Sequence, residues 1–481
     1  MTQSNLSIPL ISKENTFILE SKELDNFWNN QPLSFSVTEQ TKIISFVKKI
    51  PVIDPLSFLN KVAHSNTLHF YWENPSKQEA IAAYGVTRKF VIQSASRFEQ
   101  AQNFIQSCFN QTTIQGDTNL VGNNPYLFCN FTFFPNCDQD TSFPAATVFL
   151  PRFQVVKKHK NCFFIVNYPE KSSQEKSVKL AQIQHKIDNI DWSQYAQLLS
   201  EKVTVGNFDY KTKAANVNPD HFKSIVVSAL ESIAQDEFSK IVIANATDVT
   251  SPVPFKVINS LNNLRSRHPD CYIFSTSNGE GKNFIGASPE RLVSIQNQQL
   301  VTDALAGSAP RGKNTTEDVK LANLLLKSRK EKREHQAVSE FLLQRLREMG
   351  LKPYQLPLQL LQLSNIQHLW TPIYAHLPGD IHPLEIVAQL HPTPAVAGVP
   401  SAIACDKIRH YEQFDRSLYA APLGWIDNRG NCEFIVGIRS ALIEGNHARL
   451  YAGAGIVSGS NPDKEFVEIQ LKLQSLLKAL V

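Results

Sequence analysis

EFIVGIRSALIEGNHARLYAGAGIVSGSNPDKEFVEIQLKLQSLLKAL, residues 433–480, carries a strand pair and a long helix in one run. It begins with apolar runs over about 432–443 and 447–457, joined by the short turn EGNH (444–447). Strands joined this tightly pair antiparallel, because a parallel return needs a long crossover. A helix follows, over about 462–480: Asn461 can cap it and Pro462 suits its first position. Phe466, Ile469, Leu473, Leu476, Leu477 and Leu480 recur at helical spacing and form one apolar face, while Glu465, Glu468 and Lys472 share another stripe. A strand pair closed by a long amphipathic helix predicts α+β architecture rather than a doubly wound sheet.

The same pattern extends upstream. Strands are predicted near 240–248, 271–276, 283–295, 300–305, 368–376 and 422–428, with a helix over about 220–236 and a long helical region over about 316–349. VGNFDYKTKAANVNP (205–219) reads as a polar linker. Before it, short apolar strands at 68–72, 125–134, 146–150 and 161–168 alternate with hydrophilic helical stretches at 96–108 and 173–200. There is no internal repeat and no low-complexity segment.

Composition excludes several classes of function. With 481 residues, 42% of them hydrophobic and 19% charged, the chain can bury a large core. A net charge of +4 gives no case for nucleic acid or an anionic membrane. No apolar run reaches the ~18 residues of a membrane helix, and the N-terminus has no secretory pattern. The seven cysteines are scattered without a C-x-x-C pair, which fits a reducing compartment and opposes a disulfide framework or zinc site. A cytoplasmic enzyme or binding protein is expected.

Several residues could carry chemistry. Glu334 would share a helix face with Val338, Phe341 and Leu342, and a carboxylate on an apolar stripe must find a partner or lose its charge. It is either a metal ligand or one more solvated member of RKEKRE (329–334). Glu465 and Glu468 pose the same choice; such carboxylates would suit Mg2+. Arg439, read as lying in a strand between Gly437 and Ala441, has room for bidentate binding of a carboxylate, or it pairs with a structural acid. AGAG (452–455) offers close backbone approach to an anion, or a bulge. GEGK (279–282) lacks the P-loop pattern and reads as a hairpin turn. Lys240 starts an apolar strand and is either a snorkelling surface lysine or a desolvated base. Glu290 follows a proline that should turn the chain, and is a solvated turn residue or a half-buried acid. HPTPAVAGVP (391–400) is a loop; His391 alone is no ligand signal, and a lone histidine such as His368 is more often a core residue than a catalyst.

Ten stretches in order give this chain a resemblance to the chorismate-utilising enzymes, and to isochorismate synthases among them. They are FSKIVIANA (238–246), FIGASPERLV (284–293), TDALAGSAPRG (302–312), KSRKEKREH (327–335), IQHLWTPI (366–373), HPTPAVAGVP (391–400), YEQFDRSLYAAPLGWID (411–427), EFIVGIRSALI (433–443), RLYAGAGIV (449–457) and KEFVEIQLKL (464–473). The resemblance covers roughly 219–481; residues 1–205 would supply the variable half of the same single domain. It implies an α+β fold in which two large antiparallel sheets face each other across a cleft, with helices outside. It implies Lys240 as general base toward water and Glu290 as general acid. Glu334 and Glu468 would bind Mg2+, with Glu465 acting through water. Arg439, Gly453 and Lys472 would hold the enolpyruvyl carboxylate, with His368, Gly307 and Ala395 around the ring. Lys240 separates this branch from the ammonia-using enzymes, so no glutaminase subunit is expected, and a monomer is the default. Ser308 replaces a more usual Thr, and Glu331 a common Asp; neither is expected to touch the chemistry. Three readings compete with this one: a salicylate synthase, an ammonia-using anthranilate or aminodeoxychorismate synthase, and a non-catalytic anion-binding protein. The C-terminal similarity points toward the menaquinone or phylloquinone pathway, siderophores and salicylate being the other uses of isochorismate.

Overall fold

The structure, a computed structural model, describes residues 41–63, 66–117, 124–135, 142–170, 173–197, 219–364 and 366–480. The expected linker at 205–219 lies outside them, apart from its last residue.

Two sheets form the body. One has twelve strands, in the order 398–399, 240–250, 447–457, 440–444, 282–288, 272–277, 69–74, 79–84, 153–158, 161–169, 43–50 and 112–116. All neighbours are antiparallel except the last pair. The second sheet has ten strands; its main path runs 354–355, 366–376, 299–310, 291–296, 432–436, 422–427, 126–131, 146–150 and 88–92, and 359–362 pairs with 366–376. Strands from before residue 170 and from after 219 enter both sheets. The sheets face each other through Phe70 on Phe128, with ring centroids 4.6 Å apart, through Trp72 against Trp425, and through the buried bond from Asn130 to Thr276. The expected architecture of two facing antiparallel sheets with helices outside is therefore present.

Two runs expected as continuous strands break where it matters. The stretch 283–295 divides into Lys282–Ser288 in the twelve-stranded sheet and Arg291–Gln296 in the other. The stretch 432–443 divides into Cys432–Val436 and Ser440–Glu444, again one in each sheet. Pro289 has no N–H to give to a ladder. At Gly437 a Cβ would lie 2.6 Å from the Leu418 carbonyl oxygen. The two crossings run side by side: Val436 N–H donates to the Glu290 carbonyl and Ala287 N–H to the Arg439 carbonyl, both at 3.1 Å. Arg439 itself is left-handed, with φ 49°. It is thus not a mid-strand residue, and its neighbours Gly437 and Ala441 do not flank it on one face.

The expected helical region 316–349 is two helices, Thr315–Lys327 and Arg329–Glu348, split at Ser328, whose hydroxyl caps the second by accepting from Glu331 N–H. The closing helix spans Pro462–Leu480 and packs on the 447–457 strand. GEGK falls in the hairpin between 272–277 and 282–288. The six described cysteines are free, and no described helix is long and apolar enough to cross a membrane.

Candidate active site

A cleft with about 770 Å³ of empty space opens where both sheets meet the two long helices. Gly307, Ser308 and His368 line it from one sheet; Gly453 and Gly455 from the other; Glu334, Glu468 and Lys472 from the helices; Glu290 and Arg439 from the two crossings. Ala395 completes the wall. Lys240 and Glu465 do not line the open space, but each touches or faces a group that does.

Lys240 is 1% exposed, so it does not snorkel. Its Nζ lies 2.9 Å from Glu334 Oε1. Gly455 makes that meeting possible: a Cβ there would fall 2.5 Å from Glu334 Oε1 and 3.4 Å from Lys240 Cε. The ladder through 452–456 runs without a register shift, so these glycines mark close approach rather than a bulge.

The other two expected metal carboxylates are also held by lysines. Glu468 Oε1 lies 2.7 Å from Lys472 Nζ, and Glu465 Oε1 lies 3.0 Å from Lys330 Nζ. Glu465 is buried rather than on an exposed face. Burial works to raise the Glu468 carboxyl, but Lys472, Ser308 and Lys330 outweigh it and hold it below its ordinary range. Burial raises Glu465, against the pull of Lys330.

Glu331 and Ser308 belong to this cluster, contrary to the expectation that neither touches the chemistry. The strand 299–310 bulges between Ala306 and Ser308, where Gly307 takes φ 77°. The bulge turns Ser308 so that its N–H donates to Glu331 Oε2 and its hydroxyl to Glu468 Oε1, both at 3.2 Å. Burial pushes the Glu331 carboxyl up, and the charge of Glu334 adds to the rise. The sequence signal for Glu331 was the capping pattern Ser328-x-x-Glu331, which fixes the first turn of its helix.

Glu331, Glu334, Glu465 and Glu468 set against Lys240, Lys330 and Lys472 leave one negative charge in excess when all are ionised. Among the described residues no three acidic, histidine or cysteine side chains already converge on one point. The donor chemistry nonetheless fits a hard divalent cation, since the groups are carboxylate oxygens that repel one another and two of them, Glu334 and Glu468, line the cleft.

Glu290 is 5% exposed. Burial pushes its carboxyl up to about 8, against the opposing charge of Lys240. A carboxyl so placed keeps its proton at neutral pH and can donate it. Arg439 Nη2 donates to His368 Nε2 at 2.9 Å, and its Nη1 is buried without a hydrogen-bond partner among the described residues. The thiol of Cys271 is its other neighbour. Among the described residues no acid pairs with Arg439, which leaves it the chemistry of an anion-binding group. Lys472 also donates to the Gly453 carbonyl at 2.8 Å.

One structural group escaped sequence reading. Arg416 is 1% exposed and pairs with Glu412, while donating to the carbonyls of Val396 and Val242 at 2.8 Å. Glu412 in turn accepts from Ala244 N–H at 2.7 Å. This pair ties the 391–400 loop, and so Ala395, to the strand that begins with Lys240. The i,i+4 spacing of Glu412 and Arg416 was its only trace in sequence. His391 bonds the Phe133 carbonyl from within the core.

This fold is that of a family defined by its substrate. A model of chorismate binding enzymes matches residues 30–481, and the chain belongs to that family. It is an enzyme of the chorismate-utilising class. Isochorismate synthase MenF of Bacillus subtilis is 30% identical over 459 residues, which cover 91% of this chain and 93% of that protein. The salicylate biosynthesis isochorismate synthase of Pseudomonas aeruginosa is 32% identical over 443 residues, 90% and 89% of the two chains. Among solved structures, the menaquinone-specific isochorismate synthase MenF from Escherichia coli superposes with a TM-score of 0.74 at 26% identity, covering 97% of this chain and 100% of its own. Anthranilate synthase component I from Streptococcus pneumoniae, with a TM-score of 0.57 at 20% identity over 98% of this chain and 100% of that one, shares the fold.

Proposed function

We propose that this chain is a Mg2+-dependent isochorismate synthase that adds water at C2 of chorismate as the C4 hydroxyl leaves. The observation that carries the reading is a buried lysine near a buried, protonated carboxyl: Lys240, beside Glu334, is close enough to oppose the rise of Glu290, which lines the cleft with its carboxyl near 8. Lys240, acting as the free amine, takes a proton from water as the water oxygen bonds C2. The diene shifts, the C4–O bond breaks, and Glu290 gives its proton to the departing oxygen, so a second water leaves and no redox partner is needed. Each such acid or base contributes ~10²–10⁴-fold.

Chorismate is a dianion. Arg439 and Lys472, which line the cleft with Gly453, would receive its enolpyruvyl carboxylate, while Gly307, His368 and Ala395, also in its lining, would shape the ring pocket. Glu334 and Glu468 would hold Mg2+, with Glu465 in support; when bound, the ion supplies charge stabilisation and a template for the ring carboxylate. The buried Lys240 supports water rather than ammonia as nucleophile, and hence a chain that works without a glutaminase subunit. Similarity to the two MenF proteins supports a place in quinone biosynthesis.

The test is product identification from purified protein and chorismate, with and without Mg2+. Isochorismate that forms only with the ion is expected. Salicylate plus pyruvate as main products, or anthranilate on addition of ammonia, would replace this reading, and ATP binding without turnover would point to a non-catalytic protein.

A further inference from the structure

His368 sits on the 366–376 strand opposite the bulge at Gly307 and Ser308. Its Nε2 is 2.9 Å from Arg439 Nη2. A guanidinium carries only N–H donors, so Nε2 must be a bare acceptor. The ring makes a second hydrogen bond, to the Gly307 backbone, and that bond favours the protonated ring. Only a bond donated by the ring to the carbonyl does so. With Nε2 occupied, the donor is Nδ1. Both bonds therefore demand the same neutral tautomer. Burial, and the charges of Arg439 and Lys472, oppose a second proton.

The ring is thus held on two sides. Gly307 cannot drift, because its left-handed backbone abuts Glu331: a Cβ at Gly307 would lie 3.2 Å from the Glu331 side chain. Arg439 is held on its other side by the Nη2 bond to His368, and no described carboxylate pairs with it. What remains of its guanidinium is Nη1, buried and without a hydrogen-bond partner among the described residues.

We infer that His368 is a positioning residue: fixed as the Nδ1–H tautomer between the Gly307 carbonyl and Arg439, it aligns the guanidinium for a substrate carboxylate and takes no part in proton transfer. The inference rests on the reading of Arg439 as a carboxylate-binding group in a chorismate site. It divides the labour in the cleft: protons move through Lys240 and Glu290, and His368 only holds the anion clamp.

Two measurements test it. Long-range proton–nitrogen NMR on histidine-labelled protein, with His368 identified by its loss in His368→Gln, should show an acceptor-type Nε2 and a protonated Nδ1 that persist across the neutral pH range. A protonated Nε2 or a doubly protonated ring would overturn the inference, whatever the substrate. In kinetics, His368→Leu should raise KM for chorismate roughly 10- to 100-fold, the scale of a lost hydrogen bond to a charged group, with a smaller fall in kcat. His368→Gln, whose amide can accept from Arg439 and donate to Gly307, should recover most of that affinity. A large loss of kcat at unchanged KM in both variants would place His368 in the chemistry instead. Failure of the wild-type protein to turn over chorismate would count against the substrate reading and leave the NMR result to judge the tautomer.

Discussion

Lys240 Nζ and Glu334 Oε1 meet at 2.9 Å in a setting where the lysine is almost wholly buried. This ion pair joins the base expected for water addition to a carboxylate expected to face Mg2+. Lys240→Ala should lower kcat by at least ~10²-fold while Mg2+-dependent chorismate binding, followed by calorimetry, persists. Near-normal turnover in that variant rules Lys240 out as the base.

The pair depends on the bare backbone at Gly455. In Gly455→Ala the new methyl would fall 2.5 Å from Glu334 Oε1, so the carboxylate must move. Overpacking of this kind costs about 1–3 kcal/mol. Turnover should drop at least about tenfold, with far-ultraviolet circular dichroism unchanged. Full activity would mean that the pair tolerates rearrangement and is not a fixed part of the site.

Glu290 predicts both an activity profile and a stability profile. Its carboxyl titrates near 4.5 in an unfolded chain and near 8 in the folded one. Between those values the folded state holds a proton that the unfolded state has released, so stability falls as pH rises through the window and levels off above about 8. Glu290→Gln should therefore gain stability relative to wild type on going from pH 4.5 to 8 in paired thermal melts, by an order of a few kcal/mol. Its kcat should collapse, and wild-type kcat should decline on the alkaline side through about 8. An alkaline limb that survives in Glu290→Gln belongs to another group.

Glu468 and Ser308 make a graded pair. Glu468→Gln should weaken Mg2+ binding strongly, read as the midpoint of metal-induced thermal stabilisation without substrate. Ser308→Ala removes only the donor to Glu468, and should shift that midpoint by roughly threefold to tenfold, the scale of ~1 kcal/mol for one hydrogen bond. An unchanged midpoint in Glu468→Gln removes this residue from the ion's ligands.

Arg416 carries structure rather than chemistry. Replacing it with alanine leaves Glu412 buried and unpaired, which costs about 3–5 kcal/mol. Denaturant unfolding should show that loss. A loss below about 1 kcal/mol would show that the loop is anchored elsewhere.

Local signals read well where one element answered to one periodicity. The helix Pro462–Leu480 and the strand His447–Val457 fall where their caps and apolar spacing put them. The crossings at Pro289–Glu290 and Gly437–Arg439 were hidden because both halves of each run are buried, so alternation does not change where the chain leaves one sheet for the other. Ser328 was a readable cap, yet apolar spacing on either side of it bridged the break. The lysine partners of Glu334, Glu465 and Glu468 were unreadable except for Lys472, which is i+4 from Glu468; the others come from distant segments. Before residue 170, strands such as Ile43–Ile50 and Glu79–Tyr84 carried no recognisable motif, and they are defined by the sheets they enter.

The proposed reaction brings water in at C2 as the C4 oxygen departs. The direct measurement is turnover of chorismate in water carrying the heavy oxygen isotope, with the product analysed by mass spectrometry and carbon NMR. Isochorismate with one heavy oxygen, bonded to C2, is expected, with an unlabelled C4 oxygen released to solvent. Isochorismate without the label, or a labelled C4, would contradict it.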